Sequence, residues 1–204
     1  MPHRFTPWLP VLLVIALLAG CRSSGAHQQS KPMYSTLPDA AHQDAGAANA
    51  KHIRALELID AGQLDEAEPL LREVLSADVT FGPAHNNLGK LYFEQGKFYL
   101  AAWEFEYAIK LMPHQPEPRN NLGLVLEVTQ QLDEAATYYQ QALDLEPGNP
   151  EILGNLIRAR LSRGDHPADL RHLLRELLQK DTRPQWQKWA QDQLARAQSP
   201  TSAP

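Results

Sequence analysis

Between Pro83 and Met112 the apolar residues fall in two sets at helical spacing. Leu88, Tyr92, Phe98 and Phe105 supply bulk, and Gly89, Ala101 and Ala108 supply the small positions that let two helices approach closely. The spacing predicts two short amphipathic helices joined at Gly96 and closed by Pro113. Thirty-four positions on, the grammar returns without a gap: Leu122-Gly123, Ala135, Tyr139, Ala142 and Pro147. Counting back the same distance reaches Gly62 and Ala67, with helices expected from about Ala50 to Ala61 and from Leu64 to Ser76. Arg54 stands where the later units have Leu88 and Leu122, which suits a first unit with no preceding neighbour.

The third unit replaces the inter-helix glycine by Gln130, a small cost at a left-handed position. The fourth starts on schedule at Pro150, with Leu156 and Gly164 in place, and then decays. Ile157 replaces the small residue, and Asp169 falls where alanine is expected. Either its second helix is shifted by one residue, packing through Leu170, Leu173, Leu174 and Leu177, or it packs loosely as a terminal unit. Pro184 suits the first turn of one more helix, Gln185 to Arg196, whose apolar face is Trp186, Trp189 and Leu194.

A 34-residue helix–turn–helix period with this residue pattern resembles the tetratricopeptide repeat (TPR), over roughly Ala48 to Leu178. The resemblance implies an all-α solenoid of about 3.5 repeats plus a C-terminal capping helix. The repeats are expected near 48–81, 82–115, 116–149 and 150–181, the cap at 184–197, and a disordered tail at 199–204.

The first twenty residues read as an address. His3 and Arg4 precede an apolar run from Leu9 to Leu18 that is too short to span a bilayer comfortably. The segment Leu17-Leu18-Ala19-Gly20-Cys21 resembles a bacterial lipobox, which implies a signal peptide over 1–20, cleavage before Cys21 and lipidation of that residue. Arg22 after the cysteine, by resemblance to sorted lipoproteins, points to the periplasmic face of the outer membrane in a Gram-negative source. Residues 21–47, rich in Ser, Gln, Ala and His, read as a disordered tether. Its end-to-end distance would be roughly 30 Å.

Composition narrows the function. The formal net charge of −5 argues against a nucleic-acid partner. Cys21 is the single cysteine, so neither a disulfide within the chain nor a thiolate metal cluster can form. The histidines His27, His42, His52, His85, His114, His166 and His172 are scattered, and none is paired at i,i+4. No catalytic constellation stands out; the expectation is a non-enzyme without cofactor or metal.

Recognition remains. In TPR proteins the first helix of each repeat lines the concave face, which implies a groove here containing Asn86, Lys90, Asn120 and Arg158. Asn87, Asn121 and Asn155 recur at one position of three repeats and resemble an asparagine ladder that holds a peptide backbone through amide donors and acceptors. The alternative is that these amides bond within the hairpin. A carboxylate clamp is partly matched by Lys90, Asn86 and Asn121, but Glu151 stands where that pattern wants lysine. A second surface is specific to this chain: Tyr99, Trp103 and Tyr107 form an i, i+4, i+8 stripe on positions that are polar in the neighbouring repeats. It is read as a partner or homodimer contact on the convex side, or as a patch covered by Met33-Tyr34 of the tether. The expected function is a membrane-anchored scaffold or adaptor for a protein or peptide partner in the bacterial cell envelope. Pilus or secretion-system assembly is one role; docking a peptidoglycan hydrolase or other cell-wall enzyme is the alternative.

Overall fold

The computed structural model describes residues 45–198. The expected signal peptide over 1–20, Cys21, Met33, Tyr34 and residues 199–204 lie outside the described residues. Nine α-helices follow one another among the described residues: α1 (Ala45–Asp60), α2 (Leu64–Ala77), α3 (Gly82–Glu94), α4 (Phe98–Leu111), α5 (Glu117–Val128), α6 (Leu132–Leu145), α7 (Pro150–Ser162), α8 (Arg171–Lys180) and α9 (Pro184–Gln198). Each pairs with its successor, so four helical hairpins stack and α9 closes the row. The first helix starts at Ala45, upstream of the expected Ala50, because Ala45, Ala47 and Ala48 extend it with strong helix formers.

One turn is used four times. Gly62, Gly96, Gln130 and Gly164 all take positive φ, at 73°, 72°, 64° and 108°. The next residue donates its N–H to the carbonyl five positions back: Gln63 to Leu58, Lys97 to Tyr92, Gln131 to Leu126 and Asp165 to Arg160. That is the Schellman closure of a helix, and it reverses the chain into the second helix of each hairpin. Gln130 adopts it despite its Cβ.

Small residues set the helix spacing. A Cβ on Gly89 would lie 2.7 Å from the Phe105 ring, and one on Gly123 would lie 2.6 Å from the Tyr139 ring. Both rings are fully buried and fill the hairpin core that those glycines open. In the fourth hairpin Ile157 takes the glycine's place and the second helix slips by one residue. Leu170, Leu174 and Leu177 are wholly buried, whereas Asp169, at the expected alanine position, faces solvent. The shifted register is therefore the one adopted, and α8 starts only at Arg171. Pro184 lies 34 residues after Pro150, as Pro150 does after Pro116, so α9 occupies the place of the next repeat's first helix. It buries Ala190, Gln193 and Ala197 against the last hairpin and exposes Gln191 and Asp192, as a solenoid end requires.

The odd-numbered helices touch along the row, α1 with α3, α3 with α5 and α5 with α7, whereas α2, α4, α6 and α8 have no comparable mutual contacts. The closer spacing makes the odd helices the inner side of the curve. Among the described residues no helix is long and apolar enough to cross a membrane.

Candidate functional site

The inner face is cross-tied by one side-chain bridge repeated at three junctions. The Asn87 amide nitrogen lies 2.9 Å from His52 Nε2. Asn121 Nδ2 donates to Asn86 Oδ1 at 3.0 Å, and Asn155 Nδ2 donates to Asn120 Oδ1 at 3.0 Å. Each bridge joins residues 35 positions apart, from one inner helix to the next. His52, Asn120 and Asn155 are buried; Asn86, Asn87 and Asn121 are half-buried. The recurring amides thus bond along the solenoid, between hairpins. Burial of His52 lowers its pKa below the ordinary histidine value, favouring the neutral ring beside Asn87.

At the fourth junction the bridge stops. Position 154 is glycine, and the Trp186 ring lies so close that a Cβ there would sit 2.9 Å from it. Trp186 meets Trp189 edge to face, with centroids 5.3 Å apart. The Arg158 and Arg183 guanidinium groups lie 5.9 and 5.5 Å from the Trp186 ring, in cation–π range. Arg158, Gln185, Trp186 and Trp189 line a cleft of about 260 Å³.

Arg158 is also anchored. Its Nε and Nη2 donate to the two carboxylate oxygens of Glu127 at 2.6 and 2.9 Å, and Tyr139 Oη donates to the same carboxylate at 2.8 Å. The bond to Glu127 raises the Arg158 pKa further. Burial raises that of Tyr139, with the Glu127 charge adding to it. Sequence reasoning missed this tie. Its signal was available: Glu127 stands where the other repeats have Ile59, Phe93 and Leu161, and Arg158 stands where two of them have Leu56 and Leu124. Two opposite charges at apolar positions, one repeat apart, mark an ion pair.

Lys90 is exposed and forms no ion pair among the described residues. With Phe93, Glu94, Phe105, Asn121 and Leu124 it lines a smaller cleft of about 100 Å³ between α3 and α5. The inner face therefore carries two apolar clefts, one beside Lys90 and Asn121 and one beside Arg158, with the Glu127–Arg158 pair between them. Such a surface suits an extended segment with apolar side chains and polar backbone groups. Among the described residues no cluster of His, Cys, Asp and Glu could hold a metal ion.

The aromatic stripe sits on α4, an outer helix. Tyr99 is 83% exposed, while Trp103 and Tyr107 are half-buried. The Trp103 and Tyr107 rings stack at 5.4 Å, and Tyr107 lies against the His85 ring at 4.8 Å. Beneath it is a pair that sequence reasoning did not find. His85 and Glu104 are both fully buried, with Nδ1 2.7 Å from Oε2 and His85 Nε2 2.8 Å from the Val79 carbonyl. A carbonyl only accepts, so His85 Nε2 is the donor to Val79, and Nδ1 is left facing the Glu104 carboxyl. The stripe is thus part core lid and part exposed surface. The expected cover by Met33-Tyr34 falls outside the described residues.

Comparison with known proteins agrees with this architecture. The tetratricopeptide repeat family matches residues 54–117 and 129–192. No curated protein matches the chain. The first TPR of Spaghetti (RPAP3), solved bound to the HSP90 peptide SRMEEVD, superposes with a TM-score of 0.58 at 24% identity. That match covers 60% of this chain and 98% of the other. YrrB, described as a TPR protein with an unusual peptide-binding site, gives 0.60 at 18% identity, covering 74% and 84%. The Thermobaculum terrenum O-GlcNAc transferase gives 0.64 at 26% identity over 68% of this chain, which spans 27% of that longer protein.

Proposed function

Because the chain belongs to the tetratricopeptide repeat family, we propose that it is a lipid-anchored adaptor that captures a segment of a protein partner along its inner face. As a TPR solenoid it is a protein–protein interaction scaffold, and nothing among the described residues points to catalysis. The observation that carries the groove reading is the pair of apolar clefts on the inner helices, beside Lys90 and Arg158. The Asn–Asn bridges between the hairpins hold the two clefts in fixed register, so a partner meets a preformed surface. Peptide binding by RPAP3 and YrrB supports the same use of the fold here.

The anchor reading rests on Cys21 and the lipobox-like segment before it. Lipid on Cys21 and a tether between it and α1 would raise the adaptor's local concentration near membrane-bound partners. The setting is the bacterial cell envelope, at the periplasmic face of the outer membrane, and assembly of a pilus or secretion channel is the role proposed. Two measurements test it. Cys21→Ser should lose palmitate labelling and leave the membrane fraction. Affinity capture from envelope extract should recover a partner with the wild type and lose it with Lys90→Glu/Leu124→Glu. A Cys21→Ser chain still in the membrane would overturn the anchor, and full capture by the groove variant would overturn the groove.

A further inference from the structure

We infer that the outer face is a self-association surface, on which two copies of this chain pack back to back and antiparallel. The proposal is independent of what the inner face binds. Charge is strongly segregated along the solenoid. Residues 45–149 carry 7 Lys and Arg against 16 Asp and Glu, a formal −9, whereas residues 150–198 carry 9 against 6, a formal +3. Within the basic part, Asp165 is paired with Arg160 and Arg163, and Asp181 with Arg183. Arg171, Arg175 and Lys180 on α8 are exposed and form no ion pair among the described residues. At the other end, Asp65 and Glu66 in the first turn of α2 are exposed and likewise form no ion pair among the described residues.

Both clusters lie on the outer helices, at opposite ends of the row, so they cannot meet within one molecule. An antiparallel twofold pair brings the basic α8 of each copy onto the acidic α2 of the other, and symmetry makes the contact twice. Between the two clusters, α4 on the same face carries Tyr99, 83% exposed, where the adjacent repeats have Asp65 and Asp133. An aromatic side chain this exposed, standing between complementary charged ends, is the layout of an interface with an apolar anchor and a polar rim. The charge pattern selects a second copy as occupant, because both signs the contact needs stand on this one chain.

The test is sedimentation of the full chain in mild detergent at low and high salt, about 0.05 M and about 0.5 M. The wild type should be a dimer at low salt and dissociate at high salt. Arg171→Glu/Arg175→Glu/Lys180→Glu and Asp65→Lys/Glu66→Lys should each weaken dimerisation at least tenfold while keeping the helical circular dichroism of the wild type. Mixed one to one, the two variants should pair again, since one contact is restored with exchanged signs and the other keeps its native charges. A wild type that stays monomeric at low salt overturns the proposal, as do variants that dimerise normally or fail to rescue each other. Binding of the monomeric wild type to phosphatidylglycerol vesicles, lost in the α8 variant, would also overturn it and assign the basic end to the membrane.

Discussion

Asn155 donates its side-chain amide to Oδ1 of Asn120, one repeat earlier, across 3.0 Å, and both side chains are buried. The same bridge joins Asn121 to Asn86 at a less buried junction. Truncating Asn155 strands a buried acceptor, whereas truncating Asn121 leaves Asn86 open to water. Asn155→Ala should therefore lower stability by about 1–3 kcal/mol, and Asn121→Ala by at most about 1 kcal/mol. Urea unfolding of both variants decides; equal losses would mean that burial does not distinguish the junctions.

The His85–Glu104 pair should behave as a buried unit. Glu104→Ala leaves His85 facing a void and should cost about 3–5 kcal/mol. Replacing both residues, as His85→Leu/Glu104→Leu, should recover part of that loss, since two apolar groups need no partners and the Val79 carbonyl alone is left without its donor. A double mutant as unstable as the single one would show that packing beneath Tyr107, not the pair, sets the cost.

The turn at Gln130 and the close approach at Gly123 make opposite predictions. Gln130 holds φ 64° without a glycine's freedom, so Gln130→Gly should raise stability by about 0.5–1 kcal/mol. Gly123→Ala drives a Cβ to 2.6 Å from Tyr139 and should lower it by about 1–3 kcal/mol. Thermal unfolding monitored by circular dichroism reads both signs in one experiment.

His52 gives the first junction a pH dependence. Its folded pKa lies below the unfolded value near 6.5, so the buried neutral ring contributes stability that is fully present above that value. The contribution falls as pH drops below about 6.5 towards the lowered folded pKa, because protonation then favours the unfolded chain. His52→Gln should flatten this part of the stability profile between about pH 7.5 and 5, measured as the change in urea midpoint relative to wild type. An unchanged profile would show that His52 titrates alike in both states.

The fold was readable in the chain because its information is local and repeated. Leu88, Gly89, Ala101 and Phe105 specify a hairpin within one 34-residue unit, and the repeat multiplies the signal. The slip of α8 was readable only as one of two alternatives, since the choice depends on whether Leu170, Leu174 and Leu177 outweigh exposure of Asp169. What the sequence hid lies between repeats. Pairings such as Glu127 with Arg158, or His85 with Glu104, join residues 31 and 19 positions apart that periodicity does not couple. The asparagine column was visible as a column, but the partners of its amides appear only once the hairpins are stacked.

The most direct test of the adaptor reading places a photo-crosslinking residue at Lys90, on the inner face, and separately at Tyr99, on the outer face, in the full chain in cells. Position 90 should yield an adduct with an envelope protein, the attached peptide should be one contiguous segment, and Leu124→Glu should abolish it. Position 99 should crosslink to a second copy of the chain. A foreign envelope protein captured at position 99, with none at position 90, would overturn capture along the inner face and move partner binding to the outer face.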